Sequence, residues 1–426
     1  MPLSRLAQPL QPRLSAFAKM IAVVDCLRPF RRPSRPARGA FALLWATLAL
    51  AGCGAADKHA GSFPGSQIVP VGSPAVPKLA PDPAGRAYRV PPLLNPRNVY
   101  AADTRGRLSK VVRKFRPLIY VPNSGSNTVE EIDPRTFGLV RAFDVGALPQ
   151  HVVPSYDLRT LWVTNDLGNS LTPIDPVTGA PGPPVHVDDP YNMYFSPDGR
   201  YALIMAEQRR RVDFRDAHSM QLRYELAVPR CAGVNHADFT ADGRYMLVSC
   251  EFGAAMTVID LATRRLAQTV PLPQGASPQD VKLSPDGSVF YVADLTYGGL
   301  WVIDAYSFSR ISFIPTGAGA HGLYPSRDAK SLYVSNRSVG TISVINFRTR
   351  RVVANWHIPG GSPDMGGVSG SGSTLWLSGR YDASLYAIDT RSGRLIRRIP
   401  VGFGPHGVCV YPQPGRYSLG HTGVFR

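Results

Sequence analysis

Residues 277 to 304 read Ser277-Pro-Gln-Asp-Val-Lys-Leu-Ser-Pro-Asp-Gly-Ser-Val-Phe-Tyr-Val-Ala-Asp-Leu-Thr-Tyr-Gly-Gly-Leu-Trp-Val-Ile-Asp304. Three short apolar or alternating runs, Val281 to Leu283, Val289 to Ala293 and Leu300 to Ile303, are each bounded by turn residues, the signature of a strand meander. Ser284-Pro285-Asp286-Gly287 reads as a tight turn: proline fixes φ, aspartate bonds the local backbone, and glycine accepts a positive φ.

From Pro117 this unit recurs about every 42 residues, a period that points to a propeller or a solenoid. One strand of each unit is visible in Leu118 to Asn123, Thr160 to Asn165, Tyr201 to Ile204, Tyr245 to Ser249, Phe290 to Asp294, Leu332 to Asn336 and Leu375 to Ser378. The next strand ends in Ile-Asp or a close variant at Asp133, Asp175, Asp216, Asp260, Asp304, Asn346 and Asp389, acids read as turn openers without chemistry. Further strands are expected to begin just past His151, Asn192, His236, Asp280, His321, Asp364 and His406. The first unit lacks its preceding strand and His406 to Tyr411 lacks following partners, so the fold expected is an all-β, seven-bladed β-propeller. Its ring is closed by the C-terminal strand joining the first blade, which leaves only short, protected edges.

The Tyr120 to Asn123, Trp162 to Asn165 and Tyr333 to Asn336 strands, the Val-Ile-Asp ends, and Ser196-Pro197-Asp198-Gly199 with Ser284 to Gly287 resemble the YVTN family of seven-bladed propellers. The likeness covers 117–412. It implies a fold far more than an activity, since such relatives include surface-layer and periplasmic binding proteins, a DNA-binding periplasmic protein, lactonases and cofactor-carrying propellers.

The N-terminal residues read as an address. Arg28, Arg31, Arg32, Arg35 and Arg38 precede an apolar run, Ala40 to Ala51, too short to span a bilayer comfortably. Leu50-Ala51-Gly52-Cys53 resembles the bacterial lipobox, which implies a signal over 1–53 and a lipid anchor on Cys53. An ordinary cleaved signal is the competing reading, and translation starts at Met1 or Met20. Residues 54–116 read as a Pro-rich tether followed by a basic segment, Arg97 to Arg116, facing anionic lipid or simply solvent. Residues 413–426 are assigned to a tail. The formal charge of +17 owes +7 to residues 1–53. Of the cysteines beyond the anchor, Cys231, Cys250 and Cys409, the first two are the expected disulfide pair in an exported domain.

In a propeller the seven loop-end residues share one face, at the mouth of the channel. Closure makes His406 and His151 neighbours and defines two arcs, His236, Asp280, His321 and Asp364, His406, His151. Imidazole and carboxylate suit a borderline transition metal; the competing reading is a repeat copying one loop-end solution seven times. The same face should carry Arg209, Arg210, Arg211, Arg230, Arg337, Arg380, Tyr297 and Tyr381, cations and rings able to pair phosphate and stack on bases or sugars, or else to keep hairpin turns soluble. No Gly-x-Ser-x-Gly elbow, Walker loop, dinucleotide fingerprint, Cys-x-x-Cys or His-Glu-x-x-His occurs in a supporting context. The reading is an exported, lipid-anchored envelope scaffold, facing periplasm or exterior, for an anionic polymer (nucleic acid included) or an envelope protein. The alternative is a metal-dependent hydrolase or lyase of the lactonase-like kind, working through the His/Asp arcs.

Overall fold

A computed structural model describes residues 87–421 and 423–426, and these hold strands and turns with no helix. The signal, the lipobox and Cys53 lie outside the described residues. Seven antiparallel sheets follow one another along the chain. Cys409–Tyr411 is the innermost strand of the first blade, pairing Leu118 with Tyr411, Ile119 with Val410 and Tyr120 with Cys409, so the ring closes as expected.

Burial explains the strand chemistry. The innermost strands, such as Pro190–Phe195 and Pro278–Leu283, are buried along their whole length, and the outermost, such as Leu139–Asp144, largely face solvent. The core lies between neighbouring blades: Leu203, Met205 and Val212 of the third pack on Met246, Val248 and Ile259 of the fourth. The second blade has only Val185–His186 as its outer strand, because Pro181, Pro183 and Pro184 before it have no N–H for a ladder.

The turns work as their residues dictate. Ser284 Oγ donates to Asp286 Oδ1 at 2.6 Å and accepts from the backbone N–H of Ser288 and Val289 at 3.1 Å. Gly287 has φ +72°, and a Cβ there would lie 2.9 Å from that of Ala241. The terminal acids do open the following turns: Asp304 Oδ1 accepts from the N–H groups of Tyr306 and Ser307 at 3.0 and 2.8 Å.

Two segments read as tether and tail are folded parts of the propeller. Residues 87–116 lie along the face that carries the Ser-Pro-Asp-Gly turns: Val99 N–H donates to Pro285 O at 2.8 Å, Tyr100 Oη to Leu283 O at 2.6 Å, and Arg327 pairs with Asp103. Apolar Val99, Tyr100 and Val112, buried here, give the otherwise basic segment its reason to dock. The tail enters the channel from that same face as a hairpin, Ser418–Gly420 with Val424–Phe425, pairing Gly420 with Tyr194 of the third blade's innermost strand. That sheet therefore has six strands. A Cβ on Gly420 (φ +96°) would stand 2.4 Å from Tyr194 Cα, so only glycine allows this approach. Arg426 seals the root of the hairpin, its Nη2 2.9 Å from Asp238 Oδ1.

Candidate functional site

Six of the seven ring residues are aimed inward by the same device. In the second to seventh blades the innermost strands begin one or two residues before the ring position instead of after it, whereas Cys409–Tyr411 begins after His406 as expected. Pro149 pairs with Asn165 and Pro190 with Ala206, then the register slips at His151 and Asn192; the same slip follows Val234, Pro278, Ala320 and Pro363. A β-bulge leaves one residue unpaired and re-aims its side chain. Hydroxyls of the next strand fill the gap in the ladder: Thr164 Oγ1 accepts from His151 N–H and Ser249 Oγ from His236 N–H, both at 3.1 Å, and Ser335 Oγ from Gly322 N–H at 2.8 Å. Thr164 and Ser335 also donate to carbonyls of the following blade, Tyr191 O and Asp364 O. The ring is thereby stitched blade to blade.

The ring residues form a buried cluster, none more than 3 % exposed, where a channel mouth was expected. The hairpin tip packs against it inside the channel. His406 and His151 are neighbours, with ring centroids 4.9 Å apart, and His406 Nδ1 lies 2.8 Å from Asp364 Oδ2, so the second arc assembles. Asp364 also receives His321 Nδ1 at 3.0 Å and Arg337 Nη1 at 3.3 Å. The first arc does not form as drawn. Asp280 is engaged by Lys282 Nζ at 3.0 and 3.1 Å, by Leu323 N–H at 2.9 Å and by His421 Nε2 at 3.5 Å.

His421, at the hairpin tip, belongs to the cluster although sequence reading passed over it. Its ring lies 5.1 Å from that of His151 and 5.0 Å from that of His236. The signal that could have found it is the apolar spacing of Tyr417, Leu419, Val424 and Phe425 around a histidine, too short and glycine-broken to register as strands. Asn192 Nδ2 bridges His236 Nδ1 and His421 Nδ1 at 3.1 and 3.2 Å.

Electrostatically the cluster is balanced. Burial pushes His151, His236, His321 and His421 below the ordinary imidazole range, and burial with the Arg380 cation brings His406 down to about 4. Burial alone would raise the two carboxyls, but Lys282 with His421 on Asp280, and His321 with Arg337 on Asp364, outweigh it and hold both well below the usual range. At neutral pH the centre is therefore five neutral imidazoles and two carboxylates, each carboxylate with its own cation. It offers nitrogen and oxygen donors, the ligand types of a borderline cation.

The expected cationic face is only partly assembled. Arg211 is tied to Asp213 and Glu225, both at 2.8 Å, within its own blade. Arg337 is the partly buried partner of Asp364 and lies 5.4 Å from the Tyr381 ring. Arg380 Nη1 donates to Ser124 Oγ at 3.2 Å and Gly404 O at 3.1 Å. Arg209 is near Asp188 at 3.6 Å, and Arg210 and Arg230 are exposed. Tyr381 (53 % exposed) and Tyr297 sit on this face as expected, and what sequence reading missed is the apolar company they keep: Phe403 (71 %), Phe252 (68 %), Leu167 and Val339 lie on turns and loops of the same face. Cys231 and Cys250, joined by a disulfide, tie the loop entering the fourth blade to its second strand, with Cα atoms 4.7 Å apart.

A family model described as YNCE-like beta-propeller matches residues 114–416. Among solved structures, the hydrazine synthase of Kuenenia stuttgartiensis is 17 % identical, covering 69 % of this chain and 97 % of that one at TM-score 0.53. The dihydro-heme d1 dehydrogenase NirN is 17 % identical, covering 76 % and 77 % at 0.52. A protein of unknown function from Desulfotomaculum acetoxidans is 16 % identical, covering 69 % and 98 % at 0.57. A comparison with curated proteins finds no match. At these identities the likeness is one of fold.

Proposed function

Since the chain belongs to the YNCE-like β-propellers, a fold on which function depends on the site each member carries, we propose that it is an interaction scaffold of the cell envelope, held there by a lipid on Cys53, whose uncovered face takes a single-stranded or similarly flexible anionic polymer. One observation carries this reading. The face with the Ser-Pro-Asp-Gly turns is occupied by residues 87–116 and the tail, whereas the opposite face presents Phe252, Tyr297, Tyr381 and Phe403 among Arg209, Arg210 and Arg230. Rings that stack and cations that neutralise phosphate are the two ingredients of sequence-tolerant single-strand binding. The hydrolase alternative is less favoured: its His/Asp groups are buried around the hairpin tip, with His151, His236, Asp280 and Asp364 fully buried.

Fluorescence anisotropy with a labelled single-stranded oligonucleotide tests the proposal. Affinity should fall roughly tenfold or more as salt rises from about 50 to 200 mM, and the double variant Phe252→Ala/Phe403→Ala should lose a further ~1–3 kcal/mol per ring if each stacks on a base. Absence of binding at low salt would sink it. The address is tested separately: Cys53→Ser should move the protein from the membrane to the soluble envelope fraction.

A further inference from the structure

We propose that His151, His236 and His421 form a buried binding site for one borderline divalent transition-metal cation, of the zinc, copper or nickel class, and that this cation pins the hairpin into the channel. One nitrogen from each imidazole lies within 4.8 Å of the other two, and all three side chains are fully buried. A tetrahedral zinc with nitrogens at about 2.0–2.1 Å sets them about 3.4 Å apart, a contraction that small ring rotations supply.

The observation pointing to a ligand is His151. It is entirely buried, yet neither of its ring nitrogens has a hydrogen-bond partner, and His236 Nε2 has none either. Buried polar atoms are nearly always satisfied, and an orphaned imidazole in a native core calls for an unseen partner. A proton donor from the chain would serve one nitrogen; the convergence of three imidazoles serves a cation better, because neutral imidazole is a good nitrogen ligand to these metals.

The surroundings are those of a metal centre. Asp280 lies 3.5 Å from His421 Nε2, the carboxylate-to-imidazole contact that orients a ligating histidine, so the nitrogen His421 would turn to the metal is Nδ1, which here accepts from Asn192 Nδ2. Asn192 Nδ2 lies within 3.2 Å of Nδ1 of both His236 and His421; the cation would take its place on His421 and reach His236 through the unpartnered Nε2. Two ligands come from the ring and the third from the tail, so the cation would join Pro149–Pro154 and Val234–Phe239 to residues that follow ring closure.

The test uses the full chain, purified without chelating resin for elemental analysis, then stripped and given zinc both in the folded state and during refolding, since the site is enclosed. The expected result is one metal per chain and a higher melting temperature with zinc, both lost in His151→Ala and His421→Ala. Because His421→Ala could also unseat the hairpin, cobalt is loaded into the unsubstituted protein as a second probe. Ligand-field bands and X-ray absorption should report imidazole nitrogens around it. No stoichiometric metal by either route, binding unchanged in both variants, or cobalt without imidazole scattering would each overturn the proposal.

Discussion

Lys282 and Asp280 are both fully buried, two residues apart on one strand, with Nζ held between both carboxylate oxygens. Such a pair is costly to break from one side, because the remaining charge cannot reach water. Lys282→Met should therefore destabilise by about 3–5 kcal/mol, read from urea denaturation. At the other extreme are the turn acids. Asp216, held down to about 2 by the N–H of Ser219, and Asp304, lowered by that of Ser307, have folded values below their unfolded ones. Their contribution is present above about pH 4 and is lost as pH falls through the folded values. Asp304→Ala should cost about 1 kcal/mol at pH 7 and progressively less as the pH falls through the folded value, measured by denaturant midpoints along that range. The turn roles were legible in the sequence, because Ile-Asp before a polar turn repeats at a fixed period. The pairing of Lys282 with Asp280 was not, since a lysine in an otherwise apolar strand shows nothing of what closes over it.

The hairpin from Ser418 to Phe425 depends on Gly420 for its passage beside Tyr194. Gly420→Val should unseat it, and limited proteolysis should then cut the chain after about residue 415 at rates far above the parent's; an unchanged digest would argue that the strand pairing is dispensable. Cys231–Cys250 closes a loop of 19 residues, and Cys231→Ala/Cys250→Ala should lower stability by about 3 kcal/mol on the chain-entropy account, measured by thermal or urea unfolding. Blades could be read from the sequence because two- to six-residue apolar alternation recurs between turn signals. The hairpin could not, because it occurs once, has strands of only three and two residues, and is held by an inner strand whose free edge only the closed ring creates. The bulges were missed for a related reason: a one-residue slip leaves the period of the pattern almost unchanged and shows only in the pairing of Pro149 with Asn165 followed by His151 with Thr164.

At the scale of the whole molecule the two faces have different owners. Among the described residues, one carries segments of the chain itself, with Asp103 and Gln413 meeting on Arg327; the other carries only its own turns and loops. If binding on that second face is electrostatic, Arg210→Glu/Arg230→Glu should weaken oligonucleotide binding and flatten its dependence on log salt by about one unit per lost phosphate contact, with the melting temperature nearly unchanged because both side chains are exposed. An unaltered salt slope would place the contacts elsewhere. The single fold and the seven-residue ring were legible because they repeat. The division into a covered and an uncovered face was not, because it rests on two segments that follow no repeat.

Closure of the ring also sets an order of events during synthesis. Six blades take all four of their strands from consecutive residues, but Leu118 to Tyr120 must wait for Cys409 to Tyr411, and the hairpin comes later still. A chain emerging from a ribosome or a translocation pore therefore carries an unfinished first blade, its strand edge open to any passing polypeptide, until nearly the whole propeller has been delivered. The length of that exposure is a burden on whatever chaperones attend it, and a premature stop before residue 409 would make it permanent.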